Sequence, residues 1–107
     1  VIKYDKIIYT LRKPLNLEEK MKFLHYDFQL NGGDIVEVTL DTAANVRLMD
    51  PTNFLYYRNG RKYKYTGGLA GPPKFTISPP SKGRWHVVID LAGFAGNVNA
   101  SVKVIRT

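Results

Sequence analysis

A period of two constrains this chain more than any other feature. Val36, Val38 and Leu40 alternate with Glu37, Thr39 and Asp41 across 34–41. Successive side chains on a strand point to opposite faces, so this alternation describes a half-buried strand. The stretch 84–91 repeats it, with Trp85, Val87, Ile89 and Leu91 on one face and His86, Val88 and Asp90 on the other. Val98, Ala100, Val102 and Val104 form a third apolar face, Leu24, Tyr26, Phe28 and Leu30 a fourth, and Val46 with Leu48 a shorter fifth. None of these stretches fits the helical period.

Turn residues fall where strands of this kind need connections. Asn31-Gly32-Gly33 joins two of them, and glycine supplies the positive φ of a tight link. Asn59-Gly60 lies between 54–58 and 61–65, which predicts a two-residue hairpin. In that hairpin Arg58 stands opposite Arg61, Tyr56 opposite Tyr63 and Phe54 opposite Tyr65, while Leu55 and Tyr57 share the other face with Lys62 and Lys64. Pro72-Pro73 and Pro79-Pro80 bracket 74–78, predicting a short edge strand, where a missing N–H is tolerated. Gly83 leads into the tryptophan strand, and Gly93 with Gly96 predicts a turn before the last one. Seven or eight short strands at this spacing predict an all-β, antiparallel fold, a sandwich or a barrel, with the two-sheet sandwich as the leading expectation.

The first twenty residues read differently. Residues 2–11 suit a strand, and Asn16 suits the cap of a helical turn over 17–21, with Pro14 between the two. Residues 1–20 are thus an N-terminal arm, either an added strand or a short helix, and 21–107 the sandwich domain. The whole is 107 residues long, the length of one domain. No apolar run approaches the roughly 20 residues of a membrane-spanning helix. There is no cysteine, which removes disulfides, zinc–thiolate sites and thiol nucleophiles and makes the cytoplasm the simplest expected location.

The formal net charge is +7, and its placement is uneven. From Pro51 to Ile89 there is no Asp or Glu, while Arg58, Arg61, Lys62, Lys64, Lys74, Lys82 and Arg84 all fall there. Asp27, Asp34, Glu37, Asp41 and Asp50 lie just upstream with Arg47. Such asymmetry suits an anionic partner, whether nucleic acid, nucleotide, acidic glycan or an acidic protein surface. A solvated surface of uneven charge is the plainer reading.

From Met21 onward the chain resembles the bacterial family catalogued as domain of unknown function eighteen eighty-three. The resemblance rests on Met21-Lys22-Phe23-Leu24-His25-Tyr26-Asp27, on Ala44-Asn45-Val46-Arg47-Leu48-Met49-Asp50, on Gly67-Gly68-Leu69-Ala70, and on the run from Gly83 to Leu91 with Gly93 and Gly96. It implies a jelly-roll sandwich similar to CUB domains, at times a stand-alone protein and at times joined to a TIR domain, for which this chain is too short. It implies a binding or accessory module and carries over no catalytic residues. Positions 1–20 lie outside it, which makes Met21 an alternative start.

The residues themselves point to one candidate surface. Arg58, Arg61, Lys62 and Lys64 interleave with Tyr56, Tyr63 and Tyr65, a mixture that binds anions and stacks on flat ligands. Its bland counterpart is a solvated tip whose lysine stems cover the tyrosines. His25 with Asp27, and His86 with Asp90, each share a strand face, so neighbouring strands would gather two histidines and two carboxylates as a metal or hydrolytic site. No strand order follows from the sequence, however. Ser78, Ser81 and Ser101 lack a nucleophile elbow, and Gly67-Gly68-Leu69-Ala70-Gly71 lacks the phosphate-loop lysine, reading instead as a bend between strands. Trp85 reads as core. No cofactor is expected. The leading expectation is a non-catalytic binding module, with an oligomerising sandwich and a small metal-dependent or hydrolytic enzyme around His25 and His86 as alternatives. Convergence of Lys74, Lys82 and Arg84 with the hairpin on one concave face would supply most of the support an anion-binding face needs, and their scatter would remove nearly all of it.

Overall fold

A computed structural model of the chain describes residues 2–9, 23–91 and 98–106, the first of these as backbone only. Among the described residues the strands are β1 (Ile2–Tyr9), β2 (Leu24–Leu30), β3 (Ile35–Leu40), β4 (Ala44–Met49), β5 (Thr66–Ala70), β6 (Lys74–Ile77), β7 (Gly83–Asp90) and β8 (Val98–Ile105), with a helix, α1 (Pro51–Arg58), between β4 and β5. They form two four-stranded sheets, ordered β1-β8-β3-β6 and β2-β7-β4-β5. Every pairing is antiparallel. Consecutive strands change sheet each time except between β4 and β5, so Asn31-Gly32-Gly33 turns a corner from one layer to the other. The Gly93–Gly96 turn and the Asn16-capped helical turn lie outside the described residues.

The alternation sets which face is buried. Strand β2 reads strictly buried–exposed from Leu24 to Leu30, and Val36, Val38, Val46, Leu48, Val87, Ile89, Val98, Val102 and Val104 complete the core between the sheets. Each aliphatic side chain fully withdrawn from water there contributes about 1.5–3 kcal/mol. Trp85 is half-buried, packs against this core and donates its indole N–H to the Ser81 carbonyl at 2.9 Å. Strand β6 is short and at a sheet edge, as its flanking prolines require.

The expected hairpin at Asn59-Gly60 does not form. Residues 51–58 are helical, and 61–65 carry no regular secondary structure. Asp50 is the N-cap, its carboxylate accepting the Asn53 N–H at 2.7 Å, and Pro51 opens the first turn, where its missing N–H costs nothing. At the other end Arg61 N–H donates to the Tyr56 carbonyl at 2.9 Å and Gly60 N–H to that of Tyr57 at 3.2 Å. These are the two bonds of a Schellman ending, with Gly60 at φ +69 in the left-handed position it demands. Only the glycine position is common to the two endings: Gly60 takes the positive φ, while Asn59 stays at φ −96, where a type I′ hairpin turn needs it positive as well. Accordingly Arg58 does not face Arg61 across a ladder, nor Tyr56 Tyr63, nor Phe54 Tyr65.

The glycine-rich segment is also not a bend. Gly67 and Gly68 lie within β5, paired to Arg47 and Val46 of β4. Gly67 has φ +116, and a β-carbon there would sit 2.3 Å from the Val46 carbonyl oxygen. Close approach of two backbones explains glycine inside this strand.

Candidate binding surface around the helix

Helix α1 covers the outer face of the second sheet. Phe54 and Tyr57 pack on Met49 and Val88, with Phe23 and Tyr63 at the margin. Below them lies a buried polar centre. Asp90, 5% exposed, accepts from Arg47 Nη1 at 2.7 Å, from the Tyr57 hydroxyl at 2.5 Å and from Asn45 Nδ2 at 3.1 Å. Burial, then the bond to Asp90, pushes the Tyr57 hydroxyl far above its ordinary range, so it stays a donor. The Arg47 guanidinium also lies near the rings of Tyr63 and Tyr65, at 5.9 and 5.2 Å from their centroids. Burial raises the Tyr63 hydroxyl too. One carboxylate thus ties helix, sheet and the tyrosine segment together. Sequence reading missed this centre because its members are spread from Asn45 to Asp90.

The sequence-predicted binding residues sit on and just after the C-terminal turn of α1. Arg58, Arg61, Lys62, Lys64 and Tyr65 are exposed, Tyr56 and Tyr63 half-buried. Arg58 lies over the Phe54 ring at 5.6 Å and Arg61 over Tyr56 at 4.7 Å. Asn53 Oδ1 accepts the Lys64 N–H at 2.8 Å, which holds the segment to the helix. Among the described residues, none of these four cations takes part in an ion pair. Of the remaining cations, Lys74 leaves this face, whereas Arg84 shares the outer sheet face with α1, both it and Arg58 acting on His86. Lys74 is on the other sheet, 3.8 Å from Glu37. Arg84 pairs with Asp27 at 2.8 Å, holding the Asp27 carboxyl below its usual range. Lys82 precedes β7.

Strands β2 and β7 are neighbours, with Asp27 opposite His86, so the two histidines do meet. His25 Nε2 and His86 Nδ1 are 2.7 Å apart in a hydrogen bond, and both rings stack on Phe54, at 4.2 and 4.4 Å. The carboxylates diverge. Asp27 turns to Arg84, and Asp90 to the buried centre beneath α1. No cluster of three or more ligating His, Asp or Glu side chains occurs among the described residues, so the four-residue metal site does not assemble.

Withdrawal from water lowers the proton affinity of both rings, with His25 further disfavoured by His86. The unfolded chain therefore holds more protons than the folded one between the lowered values and the ordinary 6.5. This stabilisation is complete above that value and is lost as pH falls through the lowered values. Urea midpoints measured downward from neutrality should drop in this window, before the carboxylates titrate. Replacing both histidines with glutamine should flatten that slope. An unchanged slope in the double variant would assign the acid sensitivity elsewhere.

Comparison with known proteins adds a family and a fold. A family model described as Domain of unknown function (DUF1883) matches residues 21–107. Comparison with curated proteins finds no match. Among solved structures the chain is similar to that of Aeromonas hydrophila PliG, a periplasmic lysozyme inhibitor of g-type lysozyme, at 15% identity and a TM-score of 0.58, over 96% of this chain and 83% of that one. At this identity the likeness is one of fold.

Proposed function

The chain belongs to the DUF1883 family, and from that premise we propose that it is a non-catalytic binding module whose partner is the acidic surface of another protein. The observation that carries this reading is the exposed set Arg58, Arg61, Lys62 and Lys64, which forms no ion pair among the described residues and is held on a capped helix end anchored from below by Asp90. Anchoring beforehand lowers the ordering cost of association. Tyr65, 47% exposed, adds the kind of amphipathic ring that interfaces favour. The fold neighbour supports a protein partner in one respect, since it is described as an inhibitor of a lysozyme. Sheet orders β1-β8-β3-β6 and β2-β7-β4-β5 support the finer reading of the sandwich as a jelly roll, a fold built from two Greek keys.

Fluorescent poly-L-glutamate is a suitable probe of the cationic surface. It should bind, release as salt rises, and bind at least about tenfold more weakly to an Arg58→Ser, Arg61→Ser, Lys62→Ser variant, a difference of roughly 1.4 kcal/mol. Equal affinity in the triple variant would overturn the proposed surface. Tighter binding of a single-stranded oligonucleotide than of polyglutamate would overturn the protein partner in favour of nucleic acid.

A further inference from the structure

Where β4 ends and β5 and β7 begin, the sandwich opens into a cleft of about 180 Å3 whose lining includes Asp50, Asn53, Lys64, Tyr65, Pro80 and Trp85. The volume of about six liquid waters is below the roughly 300–1,000 Å3 of cofactor and drug-sized pockets. A nucleotide or flavin does not fit within it; one six-membered ring does.

The lining has two characters. Trp85, Tyr65 and Pro80 supply flat apolar surface, while Asp50 and Lys64 bring opposite charges to the same small space. These two are not paired with each other, nor does either form an ion pair with any described residue. The Asp50 carboxylate and the backbone of Lys64 are held in place. Asp50 caps α1, its Oδ1 accepting from Asn53 N–H at 2.7 Å and Asn53 Nδ2 at 3.0 Å, which leaves Oδ2 as an acceptor. The backbone of Lys64 is fixed by Asn53.

A ligand matching this cleft needs one apolar face, and on its edge both a donor for Asp50 and an acceptor for Lys64. A lone anion would meet the Asp50 carboxylate, and a lone cation the Lys64 ammonium. Neighbouring hydroxyls on a rigid ring answer both groups without net charge. The weakly positive C–H bonds on the face of a sugar ring suit the negative face of an aromatic side chain. We propose that this cleft is a carbohydrate subsite for a single neutral pyranose unit, with Trp85 and Tyr65 as its apolar walls and Asp50 and Lys64 as its hydroxyl partners. It goes beyond the cationic contact surface and requires neither Arg58, Arg61 nor Lys62.

Trp85 is the one tryptophan of the chain, so its fluorescence reports on the cleft directly. Titration with the methyl glycosides of glucose, galactose, mannose and N-acetylglucosamine should give a saturable change for at least one. Lys64→Gln and Asp50→Asn should each weaken it about tenfold. Asparagine caps a helix as well as aspartate does, so an unchanged melting temperature in Asp50→Asn keeps the loss attributable to the lost charge. The Arg58→Ser, Arg61→Ser, Lys62→Ser variant should bind the glycoside as before, which separates this test from that of the cationic surface. No saturable change with any of the four glycosides would overturn the subsite. So would saturation that both cleft variants leave intact. Saturation by free glycine in place of every glycoside would overturn the sugar assignment in favour of a zwitterion.

Discussion

Asp90→Ala should destabilise the fold by about 3–5 kcal/mol, because it leaves a buried arginine without its carboxylate. Arg47 and Asp90 retain side-chain exposures of only 13% and 8%, so water does little to replace the lost partner. The Tyr57 hydroxyl and Asn45 amide lose their acceptor in the same step. Domains of this size hold about 5–15 kcal/mol in total, so the loss should lower the melting temperature by roughly 12 °C or more. The comparison that identifies the cause is a triple replacement, Arg47→Met, Tyr57→Phe and Asp90→Leu. It removes the charged pair and the tyrosine hydroxyl together, leaving only the half-buried Asn45 amide without its acceptor. Apolar replacement of a complete buried pair is often neutral, so the triple variant should be more stable than Asp90→Ala. If the triple variant is the less stable of the two, the centre stabilises through net attraction and not through mutual satisfaction. Loosening of α1 in Asp90→Ala should also weaken polyglutamate binding, since the cationic segment follows that helix.

Gly67→Ala is the second large effect expected. Its φ of +116 is rarely adopted by residues with a side chain, and the added methyl would meet the Val46 carbonyl at 2.3 Å, closer than any real contact allows. Backbone strain of this kind costs about 1–3 kcal/mol, and separating β5 from β4 to relieve the clash adds lost ladder bonds. Gly32→Ala is the control, since nothing lies within 4 Å of the position its β-carbon would take. It should shift the urea midpoint by less than about 0.5 kcal/mol equivalent. Equal midpoints for the two variants would mean that β5 yields freely at this edge. Opening β5 would also displace Tyr65 and Thr66 from the cleft, so glycoside binding should suffer in Gly67→Ala and not in Gly32→Ala.

The misread hairpin shows where sequence patterns run out. Residues 54–58 and 61–65 flank Asn59-Gly60 as hairpin strands do, but the decisive signal lies earlier. Asp50-Pro51 followed by Asn53 is a helix start, and Phe54 with Tyr57, three apart, makes one buried helical stripe. Read together with Gly60 at the stop position, these residues specify a short helix. The surface residues named from the sequence still lie near one another, although through a helix end and not a ladder. The same signal marks Asp50 as a fixed carboxylate, which the cleft then uses. Trp85 was legible as a core residue by alternation, and its second role on the cleft was not. That role depends on where three strands end side by side.

Local pattern by itself determined the all-β class, the buried face of most strands, the tight turn at Asn31-Gly32-Gly33 and the edge position of β6. Alternation is a property of the extended backbone, and glycine and proline act on their own φ angles, so neither needs distant partners to be read. Only the tertiary structure decided that β2 lies beside β7, which brings His25 to His86. The same holds for the union of Arg47, Tyr57 and Asp90, for the assignment of Lys74 to Glu37, and for the cleft that Asp50 and Lys64 both line. Each of these joins residues far apart in the chain. Their meeting depends on strand order and sheet closure, and a strand's own face pattern is compatible with many neighbours.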